Sequence, residues 1–275
     1  MRRPLLLGLL LLLPACRKPA PAAATPPADP IPAHESFTLA SAGLGETRTV
    51  NVFLPPEYAT DSTRAFPVLY MPDGGLDEDF PHVVNTLDSL ARLGEVPPTV
   101  VVGVPNTERR RDLTPPTTVA KDSAIAPRVG GAAAFRGFLR DELVPEVTRR
   151  YRVTGDRAIV GESLAGLFIV ETVLREPALF PRAIAVDPSL WWNHESLLHD
   201  AAGLLARPAG TARRLYVTGA NAEGNGTTTA QLADTLRAAA PAELAWTYVP
   251  RPDLTHPTIF RATLPGALVW LLGSH

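Results

Sequence analysis

Cysteine is almost absent from this chain: Cys16 is the only one in 275 residues. No intramolecular disulfide can form, so the fold has to be held by a packed core. Charge of one sign is also lacking, since 26 Lys and Arg stand against 28 Asp and Glu, for a net charge of −2. Basic residues come only in short runs, such as Arg109-Arg110-Arg111 and Arg149-Arg150, which gives no electrostatic footprint for a nucleic-acid partner. Neither an H-E-x-x-H motif nor a Cys/His cluster occurs, so no metal and no cofactor is expected. There is no internal repeat. The longest purely apolar run near the start, residues 5–13, is too short to span a bilayer.

What is present begins with a targeting pattern. Arg2-Arg3 precedes that apolar run, and Leu13-Pro14-Ala15-Cys16 closes it, an arrangement that resembles a bacterial lipobox apart from Pro14. The resemblance implies that Cys16 is lipidated and tethers the protein to a membrane in the periplasm or cell envelope. A plain secretory signal is the alternative, and both place the mature protein outside the cytoplasm. Residues 17–35 are Pro/Ala-rich and read as a tether. Residues 36–275 read as one domain.

Within that domain, short apolar runs alternate with helical patterns. Residues 36–39 and 49–54 read as an opening hairpin. Residues 66–71, 99–104, 158–160, 182–186, 215–218 and 244–249 read as further strands, several of them apolar on both faces. Helical spacing follows at 83–93, 132–150, 164 onward, 229–239 and 259–271. Residues 105–130 have no clear period and read as a long loop, the kind that often serves as a lid. The pattern predicts an α/β fold with a mostly parallel central sheet and helices on both faces.

The chemistry centres on residues 157–167, R-A-I-V-G-E-S-L-A-G-L. A buried strand ending at Gly161, with a helix starting just past Ser163, places the serine at the apex of a strained turn. Gly161 and Ala165 are small enough to let strand and helix approach. A serine hydroxyl needs a general base within hydrogen-bond reach. Of six histidines, only His256 lies in the loop between the last strand and the last helix, where this architecture puts the base. The orienting acid is favoured at Glu223, after the 215–218 strand, with Asp253 next. Asp187, which ends the 182–186 strand, and a serine–histidine dyad remain open. The expected oxyanion hole combines the N–H of Leu164 with one from the turn Gly74-Gly75-Leu76, with Gly75 favoured.

Several stretches then resemble the "Putative esterase" group of α/β-hydrolases, in its siderophore- or enterochelin-esterase branch. They are Val68-Leu69-Tyr70-Met71-Pro72-Asp73-Gly74, Arg111-Asp112-Leu113-Thr114-Pro115, Gly161-Glu162-Ser163-Leu164-Ala165-Gly166-Leu167 and Pro188-Ser189-Leu190-Trp191-Trp192. The resemblance implies an α/β-hydrolase fold and a carboxylic ester hydrolase with Ser163 as nucleophile and His256 as base, working through an acyl-enzyme. The sequence departs from the group at Glu162, where His is common, and at Ala165, where Gly is usual.

Trp191 and Trp192 follow a strand's C-terminal end, the edge where ligands bind in open α/β sheets. They read as an aromatic wall for the substrate, or one of them as core. Arg111, with Arg109 and Arg110, reads as an attraction for an anionic ester. Two other readings stay open: acyl transfer to another alcohol, and a non-catalytic, surface-tethered binding protein on a hydrolase scaffold.

Overall fold

The computed structural model describes residues 29–273. Cys16, the lipobox-like segment and tether residues 17–28 lie outside the described residues. In chain order the elements are β1 (Glu35–Ser41), β2 (Glu46–Phe53), α1 (Glu57–Thr60), β3 (Phe66–Pro72), α2 (Phe80–Arg92), β4 (Val100–Val104), α3 (Arg109–Leu113) and α4 (Ala120–Ser123). There follow α5 (Ala132–Phe138), a π-helical turn (Leu139–Leu143), α6 (Val144–Arg150), β5 (Val153–Glu162), α7 (Leu164–Arg175), β6 (Arg182–Val186) and α8 (Trp192–Leu205). The chain ends with β7 (Arg213–Gly219), α9 (Gly226–Ala239), β8 (Leu244–Pro250) and α10 (His256–Leu272).

The strands form one eight-stranded sheet in the order β1-β2-β4-β3-β5-β6-β7-β8. β1 pairs antiparallel with β2, and β2 with β4, while every pairing from β4 through β8 is parallel. Parallel strands need crossovers, and the helices that supply them cover both faces. On one face α2 and α10 bury Val83, Val84, Leu87, Ile259, Leu264 and Leu268 against Leu69, Val101, Val160 and Ile184. On the other, α5 to α9 bury Phe135, Phe168, Ile169 and Leu232 against Val68, Val102, Ile159 and Leu215. Burying a side chain of this size contributes roughly 1.5–3 kcal/mol, and these two layers hold the sheet without any covalent cross-link.

Three features differ from the sequence reading. The segment 105–130 is not a plain loop, because α3 and α4 lie in it. Its middle is tied to the start of α8: Trp192 Nε1 donates to the Pro115 carbonyl at 2.8 Å, and the Thr118 N–H donates to Asn193 Oδ1 at 2.9 Å. Asn193, His194 and Glu195 all adopt positive φ at that joint, a left-handed conformation costly to side-chain-bearing residues. Finally, the end of the expected tether packs on the domain. Asp29 pairs with Arg261 at 2.5 Å, and Asn85 Nδ2 donates to the Pro30 carbonyl at 2.8 Å.

Candidate active site

Parallel pairing brings the C-terminal ends of β5 and β6 side by side, with Glu162 opposite Val186. Ser163 follows β5 directly and precedes α7, with φ 60° and ψ −118°. Such a conformation costs a non-glycine residue of order 1–3 kcal/mol and persists only where the surroundings over-determine it. Here they do. The Ser163 N–H donates to the Val186 carbonyl at 3.0 Å, and the Ser163 carbonyl accepts from Leu167 at 2.9 Å and from Ser189 at 3.0 Å. A Cβ on Gly161 would fall 2.6 Å from the Ala165 methyl, so the glycine before the serine makes room for the alanine after it.

His256 is the first residue of α10, behind a capping box built by Thr255 and Thr258. Its Nε2 lies 3.1 Å from Ser163 Oγ and its Nδ1 2.5 Å from Asp187 Oδ2. The hydrogen bond to Asp187 holds the imidazole pKa above its ordinary value, against the opposing effect of burial. Asp187 is wholly inaccessible to solvent. Its Oδ1 accepts from the Ala220 N–H at 2.8 Å, its Oδ2 from the Asn225 N–H at 3.4 Å, and its own carbonyl from Asn225 Nδ2 at 2.7 Å. It too sits at positive φ, 42°.

Glu223, favoured from sequence as the orienting acid, does not take that position. It is exposed on the rim of the Ser163 cavity, and Asp187 occupies Nδ1 of the imidazole. Asp253 does not take it either: its carboxylate is held by Arg251 at 2.7 Å. Asp187, left open by the sequence behind Glu223 and Asp253, directly follows β6 and holds that position.

The cavity at Ser163, about 390 Å³, is lined by Ser189, Trp191, Glu223, Gly224, Asn225 and His256. The two tryptophans divide their roles: Trp191, 41% exposed, faces this cavity, whereas Trp192, 1% exposed, is core and anchors residue 115. Ser189, not singled out from sequence, is buried with its Oγ 3.2 Å from Ser163 Oγ. Leu164 is the first helical residue of α7, so its N–H has no carbonyl within the helix and is free to meet an anion. Gly75 does not fit the second donor, because its N–H donates to Glu78 Oε2 at 2.7 Å.

Arg111 is likewise not at this cavity. Its guanidinium bonds Asp112 at 2.6 Å and Glu46 at 2.8 Å, in a network that also holds the buried Arg48. It lines a groove of about 520 Å³ with Arg109, Arg110, Pro127 and Arg128, none of which lines the Ser163 cavity. Arg109 does reach the site: it grips Asp73 with two bonds of 2.6 and 2.8 Å, and approaches the Glu162 carbonyl at 3.5 Å. Burial pushes Glu162 up to about 8, and the charges of Asp79 and Asp187 add to it, while His256 and Arg109 pull it back. Asp79 is raised to about 6, chiefly by burial and then by Asp73. No group of three or more His, Cys, Asp or Glu that could hold a metal occurs among the described residues.

Fold and site together define an α/β-hydrolase. The chain belongs to the family described as "Putative esterase", whose model matches residues 41–265. Among curated proteins it is similar to the ferri-bacillibactin esterase BesA of Bacillus subtilis (strain 168), 31% identical over 188 residues, 61% of this chain and 62% of that one. It is also similar to the siderophore triacetylfusarinine C esterase of Aspergillus fumigatus, 38% identical over 97 residues, 34% of this chain and 32% of that one. The chain thus spans less than two thirds of the length of either relative. An IroE-like serine hydrolase from Shewanella oneidensis shares the fold at a TM-score of 0.78, with 27% identity, over 86% of this chain and 79% of that one.

Proposed function

We propose that this protein is a serine carboxylic ester hydrolase that works through an acyl-enzyme. Ser163 is the nucleophile, His256 the general base and then acid, and Asp187 the group that orients the imidazole. The observation that carries this is the contact of Ser163 Oγ with His256 Nε2 at 3.1 Å, backed by the 2.5 Å bond from Nδ1 to a fully buried carboxylate. With Nδ1–H committed to Asp187, Nε2 presents a lone pair to the serine hydroxyl, as base catalysis requires. Attack on an ester carbonyl joins Oγ to the acyl carbon and passes the serine proton to Nε2. Collapse returns that proton to the leaving alcohol. Water then repeats the sequence and releases the acid. The N–H of Leu164, without a carbonyl partner at the start of α7, supports a role for it as an oxyanion donor.

The substrate proposed is a small ester of the siderophore type, because the relatives named above are siderophore esterases. Trp191 gives the acyl or aryl part an apolar wall beside the nucleophile. The test is a Ser163→Ala variant assayed with p-nitrophenyl acetate and with ferric and iron-free trilactones, alongside labelling by a fluorophosphonate. Loss of both labelling and turnover supports the reading; wild-type turnover in the variant refutes it. On the sequence of residues 2–16 we also propose a lipid anchor at Cys16, to be tested by palmitate-analogue labelling that is lost in Cys16→Ser.

A further inference from the structure

The proton inventory of the site fixes a role for a second hydroxyl. Asp187 as a carboxylate only accepts, so His256 Nδ1 donates to it, and Nε2 of the neutral ring is then an acceptor. The Ser163 hydroxyl has one proton, and the 3.1 Å contact with Nε2 uses it. In the 3.2 Å contact between the two serine oxygens, Ser189 is therefore the donor and Ser163 Oγ the acceptor. Ser189 is held to this geometry by its own backbone. Its N–H donates to the Ser163 carbonyl while the Ser163 N–H donates to Val186, both at 3.0 Å, so the two segments are stapled on either side of the nucleophile. The Ser189 side chain is buried, and Ser163 Oγ is its hydrogen-bond partner.

We propose that Ser189 is a catalytic residue that stabilises Ser163 Oγ as the leaving group of deacylation. This rests on the acyl-enzyme reading above. In that step water adds to the acyl carbon and gives a proton to His256 Nε2. The tetrahedral intermediate then breaks its bond to Oγ, the bonding pair goes to Oγ, and the Nε2 proton follows it. Ser189 keeps its own proton throughout and donates a hydrogen bond to the oxygen that is gaining charge. The acyl-enzyme's ester-type Oγ is a poor acceptor, so this hydrogen bond is stronger at the transition state than in the state before it, which is the condition for a rate effect. In acylation the same bond is already present on the resting hydroxyl, and its net effect there is smaller.

The consequence is a split in the kinetic constants. When deacylation limits turnover, slowing it lowers kcat and KM together and leaves kcat/KM in place. With p-nitrophenyl acetate, Ser189→Ala is expected to lower kcat and KM together by ~10-fold, below the 10²–10³ typical of a full oxyanion-hole donor. kcat/KM should stay within about 3-fold, the pre-steady-state burst should persist at about one acetyl group per active site ahead of a slower steady state, and the acetyl adduct on Ser163 should live longer by mass spectrometry. Ser189→Thr, which keeps the hydroxyl, should restore kcat. Ser189→Cys, with a weaker donor of similar size, should show the same pattern if the alanine variant does not fold. A fall in kcat/KM equal to that in kcat with KM unchanged would overturn the proposal, as would kinetics identical to wild type. If wild-type Ser163 forms no adduct, the acyl-enzyme reading itself fails; if it does and Ser189→Ala leaves the adduct's lifetime alone, only the role of Ser189 does.

Discussion

The two sides of Ser163 are built on opposite principles. On the side of β6 and β7, Asp187 has donors on both carboxylate oxygens and a further one on its carbonyl, all from fixed positions. On the side of β3 and α3, carboxyl groups outnumber the cations. Arg109 is engaged by Asp73, and Glu162 keeps a buried Oε1 with no hydrogen-bond partner. A buried carboxylate with a donor on each oxygen holds its partner still. One left without donors keeps its proton instead, and Glu162 is accordingly pushed to about 8. The first side fixes geometry; the second responds to pH.

The largest effect is expected from breaking the first side. Asp187→Asn keeps the shape but turns an acceptor into a donor at one position, so the imidazole loses the tautomer that presents Nε2 as a base. In Ser-His-Asp triads where this has been measured, the same change costs roughly 10⁴-fold in kcat. A loss of order 10³–10⁴ in kcat with p-nitrophenyl acetate is expected, with fluorophosphonate labelling slowed in parallel. Retention of a tenth or more of the activity would mean that the imidazole is oriented by something other than Asp187.

Glu162→Gln sharpens the contrast from the other side, with a smaller effect. Near pH 7 the wild-type carboxyl is mostly protonated, and a neutral amide should leave kcat/KM within a few-fold. Above about 8 the wild type gains a charge one residue from Ser163, which would oppose an oxyanion formed there. Its kcat/KM should fall there by about 3–10-fold, while the variant stays level. Stability should follow the same group. An unfolded Glu loses its proton near 4.5, while the folded one holds it to about 8, so the unfolded state binds fewer protons between those values. This contribution to stability is complete below 4.5 and is lost as pH rises toward 8. The slope is at most about 1.4 kcal/mol per pH unit for one group. Denaturant unfolding across that range should show the slope in wild type and a flatter line in Glu162→Gln.

The same contrast explains what was legible in the sequence. Ser163 and His256 are marked by local chemistry and by chain order: a small-residue turn after an apolar strand, and a histidine after the last strand. The sheet follows from alternation of apolar runs with helical spacing, and its opening hairpin from the two short strands read at residues 36–39 and 49–54. The acid is not marked that way. Asp187, Glu223 and Asp253 all stand in loops at the correct edge. What selects Asp187 is its φ of 42° and the N–H groups of Ala220 and Asn225, more than thirty residues along the chain. Arg111 misled for a similar reason. It neighbours Arg109 and Arg110 in sequence, yet its guanidinium is committed to Asp112 and to Glu46, 65 residues away, and does not line the Ser163 cavity. Gly75 looked free because a glycine turn presents N–H groups, but Glu78, three residues on, takes this one.

The smallest effect tests whether an exposed carboxylate at the rim can substitute for the buried one. Glu223 borders the Ser163 cavity. Its position argues otherwise: water already solvates it, and Asp187 would have to give up its donors first. An exposed charge acts on a bound ester only through solvent, where salt screens it over about 8 Å at physiological ionic strength. Glu223→Gln should therefore change kcat by less than about 2-fold, lower KM slightly for anionic esters alone, and lose that preference at about 0.5 M salt. A fall in kcat of more than 10-fold, in a variant with unaltered unfolding, would show that the rim carboxylate enters the reaction and would erase the distinction between the buried acid and the exposed one.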